Sequence, residues 1–160
     1  MPTIRVFIVT LAAVVAAGLL FVNVYNSIVD APNWGADIPR SINAAREYFK
    51  VSNPGTFYRY VSPANQIITL LALIFVWPLG WRVRMVAFAA LVAAVGGDLM
   101  TFGYFYPRNH VMFGTYPIAD DAALREAWSG WSTVNWVRSV LVLVNVVADH
   151  IVLSRVTRQT

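Results

Sequence analysis

Residues 131–156 read WSTVNWVRSVLVLVNVVADHIVLSRV, long and apolar enough to cross a bilayer, yet they carry Asn135, Arg138, Asn145, Asp149 and His150 inside the apolar frame. At roughly 100° per residue, Trp131, Asn135, Arg138, Val142, Asn145 and Asp149 advance by fours and threes and share one stripe. Val140, Leu143, Val147 and Ile151 fall largely elsewhere on the helix. Such a helix turns one side to lipid and the other to a polar protein interior.

The rest of the chain supports a membrane reading. With 58% hydrophobic and only 12% charged residues among 160, a soluble domain would have to leave much apolar surface in water, whereas membrane helices expose it to lipid. The absence of cysteine excludes disulfides and thiolate metal sites. The formal charge of +4 comes almost wholly from arginine, without the basic, aromatic-interleaved patch that nucleic-acid binding requires.

Four spans are expected, at about 4–28, 63–81, 85–106 and 131–156, forming a single domain over 1–160. The first lacks a small-x-small cleavage site and is retained as a span rather than a signal peptide. The sequence Ala31-Pro32-Asn33-Trp34-Gly35 is expected to break the chain, and an amphipathic run from Ser41 to Lys50 to lie at the interface as a short helix with Ile42, Ala45, Tyr48 and Phe49 on one side. Ser62-Pro63 reads as the start of the second span. The second long connection, from Pro107 to Gly130, contains Asn109, His110, Pro117 and a short helix over 120–128. The fold class is therefore all-α: an integral membrane four-helix bundle with two long extracytoplasmic connections containing short interfacial helices. Arg5, Arg82, Arg84, Arg155 and Arg158 gather at the termini and the short turn, which puts both termini in the cytoplasm and the protein in the cell (inner) membrane.

Topology converts positions into depths. Asp98 and Arg138 each fall roughly 10 Å below the outer surface, by the rise of 1.5 Å per residue, and are expected to form one buried ion pair. Asn23, Asn26, Asn65, Gln66, Thr101 and Asn135 belong to the same outer half, so every span offers a polar group there. The functional reading is a pocket beneath the two connections, in which a desolvated arginine would stabilise an oxyanion or enolate. The bland reading is an ion pair with asparagines bridging helices. His110, at the pocket mouth, is a candidate base or haem ligand, although a lone loop histidine is more often neither. Asp149-His150 reads as an end-of-helix interfacial pair, and the six tryptophans mainly as interface anchors, Trp131 excepted.

Trp131, Asn135 and Arg138, preceded by Tyr106-Pro107-Arg108-Asn109 and by Pro32 just after the first span, make the chain resemble the anthrone oxygenase family of small four-span membrane proteins, formerly a domain of unknown function. The matching positions are Pro107, Asn109, Trp131, Asn135 and Arg138; the connection from Trp34 to Arg59 is longer than that family's pattern. The resemblance implies cofactor-independent oxidation of a lipophilic aromatic or quinone-like substrate. Arg138 would hold the enolate oxygen, Asn135 orient it, Asp98 or His110 act as base, and Trp131, Asn23, Asn65 and Asn109 contact the substrate. No metal is expected. Two other classes stay open: a haem- or pigment-binding protein using His110, and a non-catalytic accessory subunit docked on a membrane-protein partner or on itself.

Overall fold

The structure, a computed structural model, describes residues 2–114 and 120–159, so Pro117 of the second connection lies outside it. The described residues are almost all helical, with no strand among them. Four stretches are long and apolar enough to cross a membrane: Thr3–Gly35, Pro54–Leu79, Trp81–Phe113 and Asp121–Thr157. The elements are α1 (Pro2–Tyr25), α2 (Ala31–Gly35), α3 (Arg40–Tyr48), α4 (Pro54–Val76), α5 (Trp81–Met100), α6 (Tyr106–Phe113) and α7 (Asp121–Thr157).

The boundaries at the end that holds both termini fall close to those expected, and each boundary at the other end differs for a local reason. The break expected at Ala31-Pro32 is absent, because a π turn over Asn26–Asp30 carries the helix past Pro32. A second π turn over Thr101–Phe105 precedes Pro107 in the same way and prolongs α5 into α6. A wide turn relieves the clash between a proline ring and the preceding carbonyl, and such turns recur at functional sites. Helix α4 begins well before Ser62, because Asn53 and Thr56 form a reciprocal capping box and Pro54 occupies the first helical turn; Pro63 is then an interior proline. The short helix and fourth span expected after residue 120 are one unbroken helix of 37 residues, capped by the Asp120 side chain on the Ala123 amide.

Packing is α1 against α4 and α7, and α5 against α4 and α7, so the ring order is α1, α4, α5, α7. Both termini and the tight α4–α5 turn, where Gly80 has φ +103°, share the terminal end. Arg5 Nε on α1 donates to the Phe75 carbonyl at the foot of α4. The other end, the connection end, is covered by α2, α3 and α6. There Ile42 and Ala45 of α3 are buried but Tyr48 is exposed, against the expected single apolar side. Trp128 Nε1 donates to the Ala31 carbonyl, and its ring lies against Gly35, where any Cβ would overlap it. Trp34 is 5% exposed, so these two tryptophans pack the interior rather than anchor an interface.

The bundle has three layers. An aromatic cluster with Trp34, Phe105, Met112, Leu124 and Trp131 fills the connection end, and a valine- and alanine-rich cluster fills the terminal end. Between them Asn23, Asn65, Asn135, Arg138, Ser139, Asn145 and Asp149 are all buried. Outward, by contrast, the helices show Val14, Phe21, Ile67, Leu99, Phe102 and Val140, of which Phe21 is 76% exposed. Burying arginine and asparagine while exposing phenylalanine costs free energy in water and is favourable in lipid. Buried Ala12, Ala16, Ala87, Ala90, Ala94 and Gly97 let the backbones approach.

Candidate functional site

The polar layer is assembled around the Arg138 guanidinium. Its Nε donates to Asn23 Oδ1 at 2.8 Å, one terminal nitrogen to Asn135 Oδ1 at 2.7 Å, and the other to Thr101 Oγ1 at 3.4 Å. Its faces are covered by the rings of Phe105 and Tyr58, whose centroids lie 4.3 and 4.7 Å from the guanidinium carbon. Five N–H donors thus meet three protein acceptors, leaving two for a ligand or water.

The supporting shell is cross-braced. Asn23 Nδ2 donates to Ser139 Oγ at 2.8 Å, Asn135 Nδ2 donates to Ser27 Oγ at 2.6 Å, and the Tyr58 hydroxyl shares its one proton between Asn26 Oδ1 at 2.8 Å and Asn23 Oδ1 at 3.1 Å. The Asn26–Asp30 π turn matters here, since Asn26 and Ser27 both turn inward from it and are buried.

The expected ion pair between Asp98 and Arg138 is not formed. Gln66 Nε2 on α4 donates to the Asp98 carboxylate instead. Among the described residues no acid pairs with Arg138; the two ion pairs are Arg40–Asp37 and Lys50–Glu47, on or beside α3. The reason is register: the residue level with Arg138 is Thr101, the first of the π turn after α5 and almost one turn nearer the connection end than Asp98.

Two spaces meet at this arginine. The larger, about 640 Å³, lies under the connections, with Trp34, Phe105, Phe113 and Trp131 as aromatic wall and Tyr58, Thr101 and Arg138 among its lining. Arg46, Glu47, Lys50, Asn53 and Asn109 also line it. Trp131 packs edge-on to Trp34 and Phe105, at 5.0 and 5.6 Å between centroids, so it is part of the wall and not the rim. Its Nε1 is a buried donor with no protein partner, an arrangement natural interiors seldom leave unexplained. The smaller space, about 20 Å³, has room for roughly one water and is lined by Tyr58, Asn65, Asp98, Thr101, Arg138 and Asn145 among others.

Of the residues picked from sequence, Asn23, Asn135 and Arg138 are hydrogen-bonded together, Trp131 and Asn109 line the large cavity, and Asn65 and Asp98 line the small chamber. His110 does neither; it lies exposed on α6, where a haem bound to it would sit outside the cavity. Asp149 and His150 are not an interfacial pair, for Asp149 is 2% exposed and His150 points outward. Sequence reading missed Tyr58 and Phe105. Both had a signal: Tyr58, Ser62, Asn65 and Thr69, like Asp98, Thr101 and Phe105, advance by fours and threes along one helix face. Among the described residues no group of three or more His, Asp or Glu side chains is placed to hold a metal ion.

Comparison with family models, with curated proteins and with solved structures finds no match.

Proposed function

We propose that this chain is an integral membrane protein whose large cavity binds a flat, lipophilic molecule carrying an acidic or carbonyl oxygen, and that it oxidises such a molecule without a cofactor, as its resemblance to anthrone oxygenases implies. One observation carries this reading: a buried arginine without an ion-paired acid, clamped between two aromatic faces, with donors to spare at an aromatic-walled cavity. A cation held by two neutral amides and a hydroxyl, with no acid among the described residues in salt-bridge contact, is available to a ligand's developing negative charge. In an anthrone the ring CH₂ is acidic because its enolate is aromatic. Arg138 would hold that enolate's oxygen, the wall of Trp34, Phe113 and Trp131 would stack on the rings, and the ring carbon opposite the oxygen would lose its proton to cavity water beside Glu47. The net change, ring CH₂ plus O₂ giving a ring carbonyl plus H₂O, balances without another reductant.

Binding is testable with a hydroxyanthraquinone, the product class, by quenching of tryptophan emission in mild detergent. Trp131→Ala is expected to weaken it by about 1–3 kcal/mol through lost stacking and apolar contact, whereas Val140→Ala, on the outer surface, is expected to leave it unchanged. Equal affinity in both variants and wild type would mean the dye is partitioning into detergent.

Membrane insertion is supported by the apolar outer surface, and an outside connection end by charge: Arg5, Arg82, Arg84, Arg155 and Arg158 at the terminal end stand without acids, whereas the basic residues of the connections are mixed with Asp37, Glu47, Asp120, Asp121 and Glu126. In oriented vesicles or cells, a cysteine at Ser52 should react with an impermeant thiol reagent added outside and one at Gln159 should not. The opposite pattern would invert the topology.

A further inference from the structure

One buried acid has no part in that chemistry. Asp149 lies on α7 roughly 16 Å beyond Arg138 toward the terminal end, at 1.5 Å per residue. Its Oδ2 accepts from Asn145 Nδ2 at 2.9 Å, and Asn145 Oδ1 accepts from Asn65 Nδ2 at 2.9 Å. The three side chains thus form a file between α4 and α7, which face each other across the ring of helices.

The file opens toward one end only. Asn65 and Asn145 line the small chamber beneath Arg138, and Asn65 Oδ1, in a residue 3% exposed, has no protein partner. Thr69 Oγ1 is likewise buried and unpartnered. Helices α4 and α7 run in the same direction, so one turn past the Asn65–Asn145 contact the register sets Thr69 level with Asp149. Buried polar atoms left this way are the usual lodging of water. Beyond Asp149, Val9, Val76, Val83, Val152 and Val156 pack into a dry plug.

Among the described residues no ion pair fixes the charge of Asp149. On α7, His150 and Arg155 are exposed; on α1, Arg5 is engaged by the Phe75 carbonyl; on α5, Arg82 is exposed and Arg84 lies over the Trp77 ring. Helix α4 carries no ionisable residue beyond Tyr60. None of these groups makes an ion pair with Asp149, and intramembrane carboxyls with water on one side are the parts from which proton relays are built.

We propose that Asp149 is a proton-binding site, loaded and unloaded through the chamber by water held at Asn65, Asn145 and Thr69, and sealed from the terminal end by the valine plug. It goes beyond the oxidation chemistry and does not depend on it. A site of this kind ties the charge of the bundle's centre to the pH on the connection side alone.

The test uses dicyclohexylcarbodiimide, a lipophilic reagent that modifies protonated carboxyls in apolar surroundings, on wild-type protein oriented in liposomes, with adducts located by peptide mass spectrometry. Labelling at Asp149 is expected, at a rate that rises up to about tenfold for each pH unit lowered on the connection side, the slope of a single titrating proton, and ignores pH on the other side. Asn65→Leu, which removes the water's anchor, is expected to weaken the dependence of labelling on connection-side pH. An Asp149 that never reacts, reacts at a pH-independent rate, follows terminal-side pH, or is indifferent to Asn65→Leu overturns the proposal. Because the readout is on Asp149 itself, each outcome is independent of whether an aromatic substrate binds.

Discussion

Asn23→Leu is expected to destabilise the bundle by about 3 kcal/mol or more, read as a lowered midpoint of thermal unfolding in mild detergent. Asn23 is 1% exposed and joins α1 to both α4 and α7: its Oδ1 accepts from Arg138 Nε and Tyr58, and its Nδ2 donates to Ser139 Oγ and the Asn135 carbonyl. Interhelical hydrogen bonds within a membrane average only about 0.6 kcal/mol each, which would make the neutral ones a modest loss. The charged partner decides the magnitude, because a bond to an ionised group contributes about 1.5–3 kcal/mol and leucine leaves Arg138 Nε buried without an acceptor. Ser27→Ala, which removes a single acceptor from Asn135, should cost about 1 kcal/mol. If Asn23→Leu melts with wild type, Arg138 is not held as described.

Arg138→Gln is expected to reduce turnover of a hydroxyanthrone, followed as dioxygen uptake, by about 10²–10³, the loss typical of removing one preorganised oxyanion donor. The effect should fall on kcat more than on KM, since the charge it meets develops in the transition state. Arg138→Lys is expected to recover little. The ammonium cannot span Asn23, Asn135 and Thr101 as the fork does, nor lie flat between Tyr58 and Phe105. A sharper probe is Asn23→Asp, which keeps an acceptor for Arg138 Nε, and hence much of the stability, while pairing the cation with a carboxylate. Weakened binding of an acidic hydroxyanthraquinone in a stably folded Asn23→Asp would show that the unpaired charge attracts the ligand. Full turnover in a folded Arg138→Gln protein would remove the arginine from the chemistry.

The α7 stripe was legible because it needs only the helical period: Trp131, Asn135, Arg138, Asn145 and Asp149 are buried, while Val140, Leu143, Val147 and Ile151 are exposed. The four long apolar helices were legible for the same reason, since composition over twenty residues outweighs any single position. Helix ends on the connection side were not. Pro32 and Pro107 read as stops, but π turns absorbed them; Ser62-Pro63 read as a start, but the Asn53 capping box began the helix earlier. That shift mattered for the site, because it turned Tyr58 from a connection residue into a helical one facing Arg138.

Along α7 from Trp131 to Asp149 the sequence by itself determined which side chains face inward, because burial there follows the helical period. Only the tertiary structure decided who pairs with whom. Opposite charges at similar depth made Asp98 the obvious partner for Arg138, yet hydrogen bonding depends on displacements smaller than one helical turn, roughly 5.4 Å, and the offset between α5 and α7 gives Asp98 to Gln66 and Arg138 to Asn23, Asn135 and Thr101. The cation was therefore left without a carboxylate, at the meeting of an aromatic cavity and a water-sized chamber, by interhelical register that no period within one helix encodes.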